Sequence, residues 1–279
     1  MSTEHILSVI DSHADSAAIL LLPGVQYYTG QLFDIPLITK HAHKVGIVVL
    51  WDLAHAVGNI ELKLHEWNVD GAAWCGYKYL NGGPGCIGGL FLHERHDSIS
   101  VDGAQPTPGR GLRGWWGTNK EARFQMDTSH FVPGLGAASM QLSNPSVICT
   151  TALCASLEVF REAGGMKPLR AKSVQLTKFM YNLLDGLRTI SGEQALFEII
   201  TPQNESQRGA QLSIRLKMPG SLDIVAKALA ALGCYIDERR PDVIRIAPTP
   251  LYNTFSECCD FVEAFGMALG ELIDHSTLT

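Results

Sequence analysis

The sequence contains no CxxC pair, no run of basic residues and no apolar stretch that reaches the roughly 18 residues of a membrane span. Its seven cysteines are Cys75, Cys86, Cys149, Cys154, Cys234, Cys258 and Cys259. An odd, scattered set argues against a disulfide framework and against a zinc site, and for reduced, mostly buried thiols in the cytosol. A formal net charge of −6 with dispersed basic residues excludes the usual nucleic-acid footprint. The opening residues, MSTEHILSVIDSH, carry acids where a signal peptide carries a basic start, so a cytoplasmic location without membrane association is expected.

What is present suits a folded α/β protein. The chain has 279 residues, 46% of them hydrophobic and 18% charged, enough to bury one large core or two ordinary ones. Residues 3–16 show helical spacing at Ile6, Leu7 and Ile10. A short apolar run, AILLLPG, reads as a strand ending in a Pro-Gly turn. DIPLITKHAHKVG has Pro at a helix start and Gly46 at its end. IVVLWD, GAAWCGYKY and IGGLFLHE read as further strands, and IVVL suits a strand buried on both faces. LKLHEWNVD reads as a short helix. Alternation at this spacing predicts a mostly parallel sheet, with ligands at the carboxyl ends of its strands. Residues 100–118 are rich in Gly and Pro and read as a loop. A long amphipathic helix over 166–190 follows, then a β-α-β-β-α pattern that predicts a smaller α+β domain, with the boundary near residue 145. No internal repeat or low-complexity tract occurs.

One stretch poses a chemical question: AAWCGYKYLNGGPGCIGGLF, residues 72–91, sets Lys78 between an apolar run and a glycine-rich loop. An ammonium buried without a partner is costly. A desolvated lysine at a strand end can instead form a Schiff base with a carbonyl. Asp52, at the end of a neighbouring strand, could pair with a cationic ring nitrogen, and the two groups together suit pyridoxal phosphate. An aspartate there serves equally as a cap or turn residue. His55, three residues on, shares a face with Asp52 if the segment turns helical, and serves equally as a hydrogen-bonded loop histidine. The fragments HAH (41–43) and HERH (93–96) read as solvated histidines, and no metal site is expected. NGGPGCIGG lacks phosphate-loop order; its glycines let the chain turn tightly beside the lysine. GWWG (114–117) puts two indoles in a loop, either to bind something or to pack locally.

Taken in order, LLPGVQYYTGQ, WDLAHAVGN, WCGYKYLNGGPG, GWWG, RFQMD, SNP and IRIAPTPLYN strongly resemble the kynureninase family of fold-type-I pyridoxal phosphate enzymes. The resemblance implies a PLP-dependent transferase-like α/β fold. Residues 1–145 would be the C-terminal part of the large cofactor-binding domain, with part of its parallel-type sheet. Residues 146–279 would be a linker helix and a small α+β domain. Lys78 would hold the cofactor aldehyde, Asp52 the pyridine nitrogen, and His55 would lie beside the ring. Tyr77 would contact the cofactor phosphate and donate a proton in the cleavage. Trp115 and Asn144 would reach the phosphate region from the other subunit of a homodimer. Arg245 would clamp the substrate carboxylate, and Arg240 could lie by the aryl ring.

The implied reaction is hydrolytic Cβ–Cγ cleavage of L-kynurenine or its 3-hydroxy form, giving alanine plus anthranilate or 3-hydroxyanthranilate, a step of tryptophan catabolism and pyridine nucleotide biosynthesis. In it Cα is acidified, water adds to the γ-carbonyl, and a retro-Claisen break follows. The chain resembles roughly the C-terminal three-fifths of the family, and its long loop at 100–113 suggests a fungal-type sequence. Pro23 stands where relatives can have a cofactor-contacting serine. An alternative is a catalytically inactive fragment or paralogue acting through the dimer surface. A cysteine desulfurase-like lyase is a third reading; Tyr77 counts against it, because those enzymes carry His before the lysine.

Overall fold

The computed structural model describes residues 1–96, 113–126, 131–190 and 195–277, so most of the expected 100–118 loop lies outside the described residues. The chain divides into two units. The first comprises Met1–Gly24, Asp34–Ala54 and Leu62–Leu157; the second comprises Val25–Phe33, His55–Glu61 and Glu158–Thr279.

The first unit opens with helix α1 (Thr3–Ser12), whose Ser2 cap accepts from the His5 N–H at 3.2 Å. It buries Ile6 and Ile10, one turn apart. Strand β1 (Ile19–Pro23) leads to helix α2 (Ile35–Lys44), which starts where Pro36 removes a donor the first turn does not need and Asp34 accepts from the Leu37 N–H at 3.0 Å. Strands β2 (Val48–Asp52), β3 (Gly71–Trp74) and β4 (Gly89–Leu92) complete a sheet of order β1-β2-β3-β4. The pairings β1–β2 and β2–β3 are parallel, and β3–β4 is antiparallel. Helix α3 (Val147–Glu162) follows.

Three expectations need correction here. The strands are not buried on both faces: on β2, Val49 and Trp51 are buried, and the Trp51 indole donates to Thr39 Oγ1 of α2 at 3.0 Å, whereas Val48 on the other face is exposed. On β1, Ile19 (58% exposed) and Leu21 (65%) face solvent. Residues 54–59 and 64–68 form turns rather than helix. Nor are the thiols mostly buried. All seven cysteines are free, but only Cys86 and Cys258 are buried.

The second unit holds α4 (Met166–Ile190), β5 (Phe197–Ile199), β6 (Leu212–Leu216), α5 (Ser221–Ala231), β7 (Asp237–Arg239), β8 (Val243–Ile246) and α6 (Phe255–Thr277). Its sheet, order β5-β6-β8-β7, is antiparallel throughout. Phe197 and Phe265 meet edge to face at 5.1 Å in its core. Residues 25–33 are tied to it through backbone carbonyls. Gln211 Nε2 donates to Tyr27 O at 2.9 Å, and Ser213 Oγ donates to Tyr28 O at 2.6 Å. Gly30 has φ +73°, and a Cβ there would lie 2.6 Å from Gln211 O, so no larger residue fits.

Asp70 locks the first unit. It is buried and accepts from the Val49 N–H at 2.7 Å, from His43 Nε2 at 2.7 Å, from His96 Nε2 at 2.6 Å and from Arg95 Nε at 3.1 Å. Burial pushes its carboxyl pKa up, but the Arg95, Val49, His43 and His96 hydrogen bonds outweigh it and hold the group well below the usual carboxylate range. A carboxyl depressed on folding stabilises above its unfolded pKa, and that contribution fades as pH falls below it. Asp70→Asn is therefore expected to cost about 1–3 kcal/mol at neutral pH, by removing the charged acceptor that the Val49 N–H, His43, Arg95 and His96 share, and to flatten the acid slope of stability below about pH 4. Urea titrations at several pH values read both effects.

Candidate active site

The parallel register brings strand ends together. Pro23 pairs with Asp52, and Asp52 pairs with Ala73, so the carboxyl ends of β1, β2 and β3 share one edge of the first sheet. Asp52 ends β2; its Oδ1 accepts from the Ala54 N–H at 2.9 Å and its side chain is otherwise exposed. This is the turn role that an aspartate here could equally serve, and it leaves the second oxygen available. Pro23 occupies the same edge and offers no hydroxyl. Cys75 and the loop carrying Tyr77 and Lys78 follow β3 directly.

That loop is closed on itself. Gly82 N–H donates to Gly76 O at 2.9 Å, and Asn81 N–H donates to Lys78 O at 2.9 Å. Lys78 is half-buried, with its Nζ 5.8 Å from the Tyr77 ring centroid. Among the described residues no carboxylate pairs with Lys78, and no cation pairs with Asp52. Asp52 thus ends β2 beside the strand from which the Lys78 loop springs, and an amine and a carboxylate that do not pair with each other are the groups an aldehyde with a cationic ring nitrogen requires. Tyr77 is 52% exposed. The charge of Cys75, and then its hydrogen bond, raise the Tyr77 hydroxyl above the ordinary phenol range, so it stays protonated and able to donate.

Trp115 is 80% exposed and Asn144 is exposed, whereas Trp116 packs locally under Arg123, 4.6 Å from its ring centroid. Of the two roles open to the indoles of GWWG, Trp116 takes the local packing one. His55 is half-buried, and its carbonyl accepts from Asn59 Nδ2 at 2.8 Å. Asn59 Oδ1 in turn accepts from the Ala210 N–H at 2.9 Å. Asn59 therefore fixes the turn that carries His55 within the second unit.

Arg245 is buried in the second unit. It pairs with Asp237 and donates from Nη1 to Tyr27 O at 2.7 Å, while its Nε has no acceptor. Arg240 is exposed and pairs with Asp223 at 2.7 Å. Among the described residues no histidine, cysteine or carboxylate cluster could hold a metal ion.

The chain matches the family described as Aminotransferase class-V over residues 3–108 and the Kynureninase C-terminal domain over residues 169–265. It is 56% identical to a protein named kynureninase 2 from Neurospora crassa, over 99% of this chain and 58% of that one. It is 53% identical to one named kynureninase 1 from Chaetomium globosum, over 96% and 55%. Among solved structures it resembles an apo cysteine desulfurase from Thermococcus onnurineus NA1, with a TM-score of 0.73, 17% identity, and 96% and 63% of the two chains covered. A C-DES mutant with glycine covalently linked to its PLP cofactor gives a TM-score of 0.72 at 16% identity, over 94% and 63%.

The fold is that of the fold-type-I pyridoxal phosphate enzymes. Within that class the chain belongs to the kynureninase family. It spans a little over half the length of the curated relatives it matches.

Arg245 holds Tyr27 and Asp237 at once, a forked task that a point-charged lysine cannot reproduce. Arg245→Lys is expected to lower the stability of the second unit by about 1.5–3 kcal/mol, the worth of charged hydrogen bonds. An unchanged urea midpoint would show that the guanidinium is not a fastener.

Proposed function

We propose that this chain carries the lysine and carboxylate of a pyridoxal phosphate-dependent hydrolase, one that cleaves the Cβ–Cγ bond of L-kynurenine or 3-hydroxy-L-kynurenine. The products are alanine and anthranilate or 3-hydroxyanthranilate. The observation that carries the reading is Asp52 at the end of β2, registered beside the strand that leads into the Lys78 loop, each group without an opposite charge among the described residues, in a chain 56% identical to a relative named kynureninase.

When bound, pyridoxal phosphate supplies an electron sink for charge developing at the substrate Cα. Every other task falls to side chains. Lys78 would hold the cofactor at its aldehyde carbon and would move the proton at the substrate Cα as a base. Asp52 would keep the ring nitrogen protonated, and His55 would lie beside the ring. Tyr77 would donate to the cofactor phosphate and protonate the substrate Cβ.

Arg245 receives the substrate carboxylate, and to do so it must exchange its Asp237 contact for the ligand. Trp115 and Asn144 serve a second copy's cofactor phosphate in a homodimer, in keeping with their exposure. In this reading residues 1–145 belong to the large cofactor domain and 146–279 form the linker helix and small domain, and the enzyme works in the cytoplasm.

The test is direct. The purified chain mixed with pyridoxal phosphate should gain a visible absorbance band, and borohydride trapping should add the cofactor's mass at Lys78. Lys78→Ala should abolish both. Asp52→Asn should retain attachment and slow anthranilate release by about a hundredfold or more, the scale of a lost electrostatic partner. Absence of cofactor mass at residue 78 overturns the reading.

A further inference from the structure

We propose that Cys86 is the positioning residue of the Lys78 loop, its thiol the internal wedge against which residues 76–82 close. The inference rests on Lys78 as the cofactor's attachment point. Cys86 is buried, and its sulfur sits between two glycines. A Cβ on Gly76 would lie 2.8 Å from Cys86 Sγ and 2.4 Å from Ile87 O. A Cβ on Gly82 would lie 2.4 Å from Cys86 Sγ and 2.9 Å from Gly76 O. Those two glycines are the residues joined by the hydrogen bond that closes the loop, 2.9 Å from Gly82 N to Gly76 O. The sulfur therefore occupies space that side chains at positions 76 and 82 would need, at the point where the loop carrying Lys78 closes.

The wedge is itself held from outside. Cys86 Sγ approaches Cys149 O at 3.8 Å, and Ser156 Oγ donates to Leu80 O, both on α3. Gly83 and Gly85, by contrast, have open space at Cβ and φ values of +82° and +77°. They serve the turn, whereas Gly76 and Gly82 serve the fit. Interiors packed at crystal density transmit a misfit of one methyl group into a backbone shift, and a shift of about 1 Å at a reacting group can cost a hundredfold.

The experiment is a double-variant cycle on the full chain: Gly82→Ala, Cys86→Gly and the two together. The dissociation constant for pyridoxal phosphate, taken from the visible band, is read for each. The rate at which iodoacetamide alkylates Cys86, located by peptide mass, is read in the wild type and in Gly82→Ala, which keep the thiol. Gly82→Ala is expected to weaken cofactor binding about tenfold, the usual scale of one overpacked methyl. Cys86→Gly should weaken it less, and the double variant should recover to within about threefold of Cys86→Gly, a coupling expected only of groups in contact.

Cys86→Val overfills the same slot without altering a glycine and should reproduce the tenfold loss together with a lowered melting temperature, whereas Cys86→Ser should retain wild-type binding. Alkylation of Cys86 should be slow in the wild type and at least tenfold faster in Gly82→Ala. If the wild-type chain binds no cofactor, the functional reading fails, while the alkylation rates still report the loop. If Gly82→Ala leaves both readouts unchanged, or the double variant is no better than Gly82→Ala, Cys86 is not the wedge.

Discussion

The parallel pairing of β2 with β3 is the constraint on which the site depends. Registering Asp52 against Ala73 fixes the carboxylate beside the strand from which the lysine loop springs. Side chains alternate along a strand, so a slip of one residue would turn Asp52 to the opposite face and dissolve the pair. What holds the register is apolar on one side and ionic at the far end. Val49 and Trp51 are buried beside α2, and Asp70, one residue before β3, binds the backbone N–H of Val49 on β2. A buried carboxylate thus staples the amino-terminal half of the strand pair whose carboxyl ends carry the chemistry.

Much of this was legible in the sequence, and the reason is local. Pro36 and Asp34 start a helix by the donors they remove or satisfy, whatever surrounds them. The strand ends at Asp52 and before Lys78 were marked by apolar runs giving way to polar residues. The two-faced burial expected of IVVL failed because periodicity reports what a strand can bury, not what covers it. Ile19 and Leu21 have the apolar character of covered positions and yet face solvent. The Asp70 network was invisible because its partners come from α2, from β2 and from the turn after β4. A resemblance that supplies residue roles did not supply the wedge either, since a cysteine's packing role depends on which backbone it meets.

The second unit shows how polar groups can order a chain without forming a site. Arg208 is buried, donates to Pro202 O at 3.0 Å and to Gln203 O at 2.6 Å, and stacks 5.0 Å from the Tyr181 ring centroid. Burial lowers its pKa, and that of Arg170, whose Nη2 donates to Arg208 O at 2.7 Å. These guanidiniums satisfy carbonyls of an irregular segment that neither strand nor helix serves. Arg245 belongs to the same style of construction, so its proposed hold on a substrate carboxylate must displace contacts already made.

Charge pairing alone cannot position the amine at the first sheet's edge. Asp52 and Tyr77 are exposed and Lys78 is half-buried. Ion pairs among such groups contribute about 0–1 kcal/mol and are screened by salt. Steric closure suffers no such dilution: a backbone hydrogen bond across Gly76 and Gly82, with a sulfur filling the gap beneath, restricts the lysine's backbone whatever the solvent does. The glycines beside the lysine then have two distinct physical jobs. Gly83 and Gly85 supply a left-handed turn, and Gly76 and Gly82 supply absence of volume. The second job sets where the amine stands, because a turn fixes direction while close packing fixes distance.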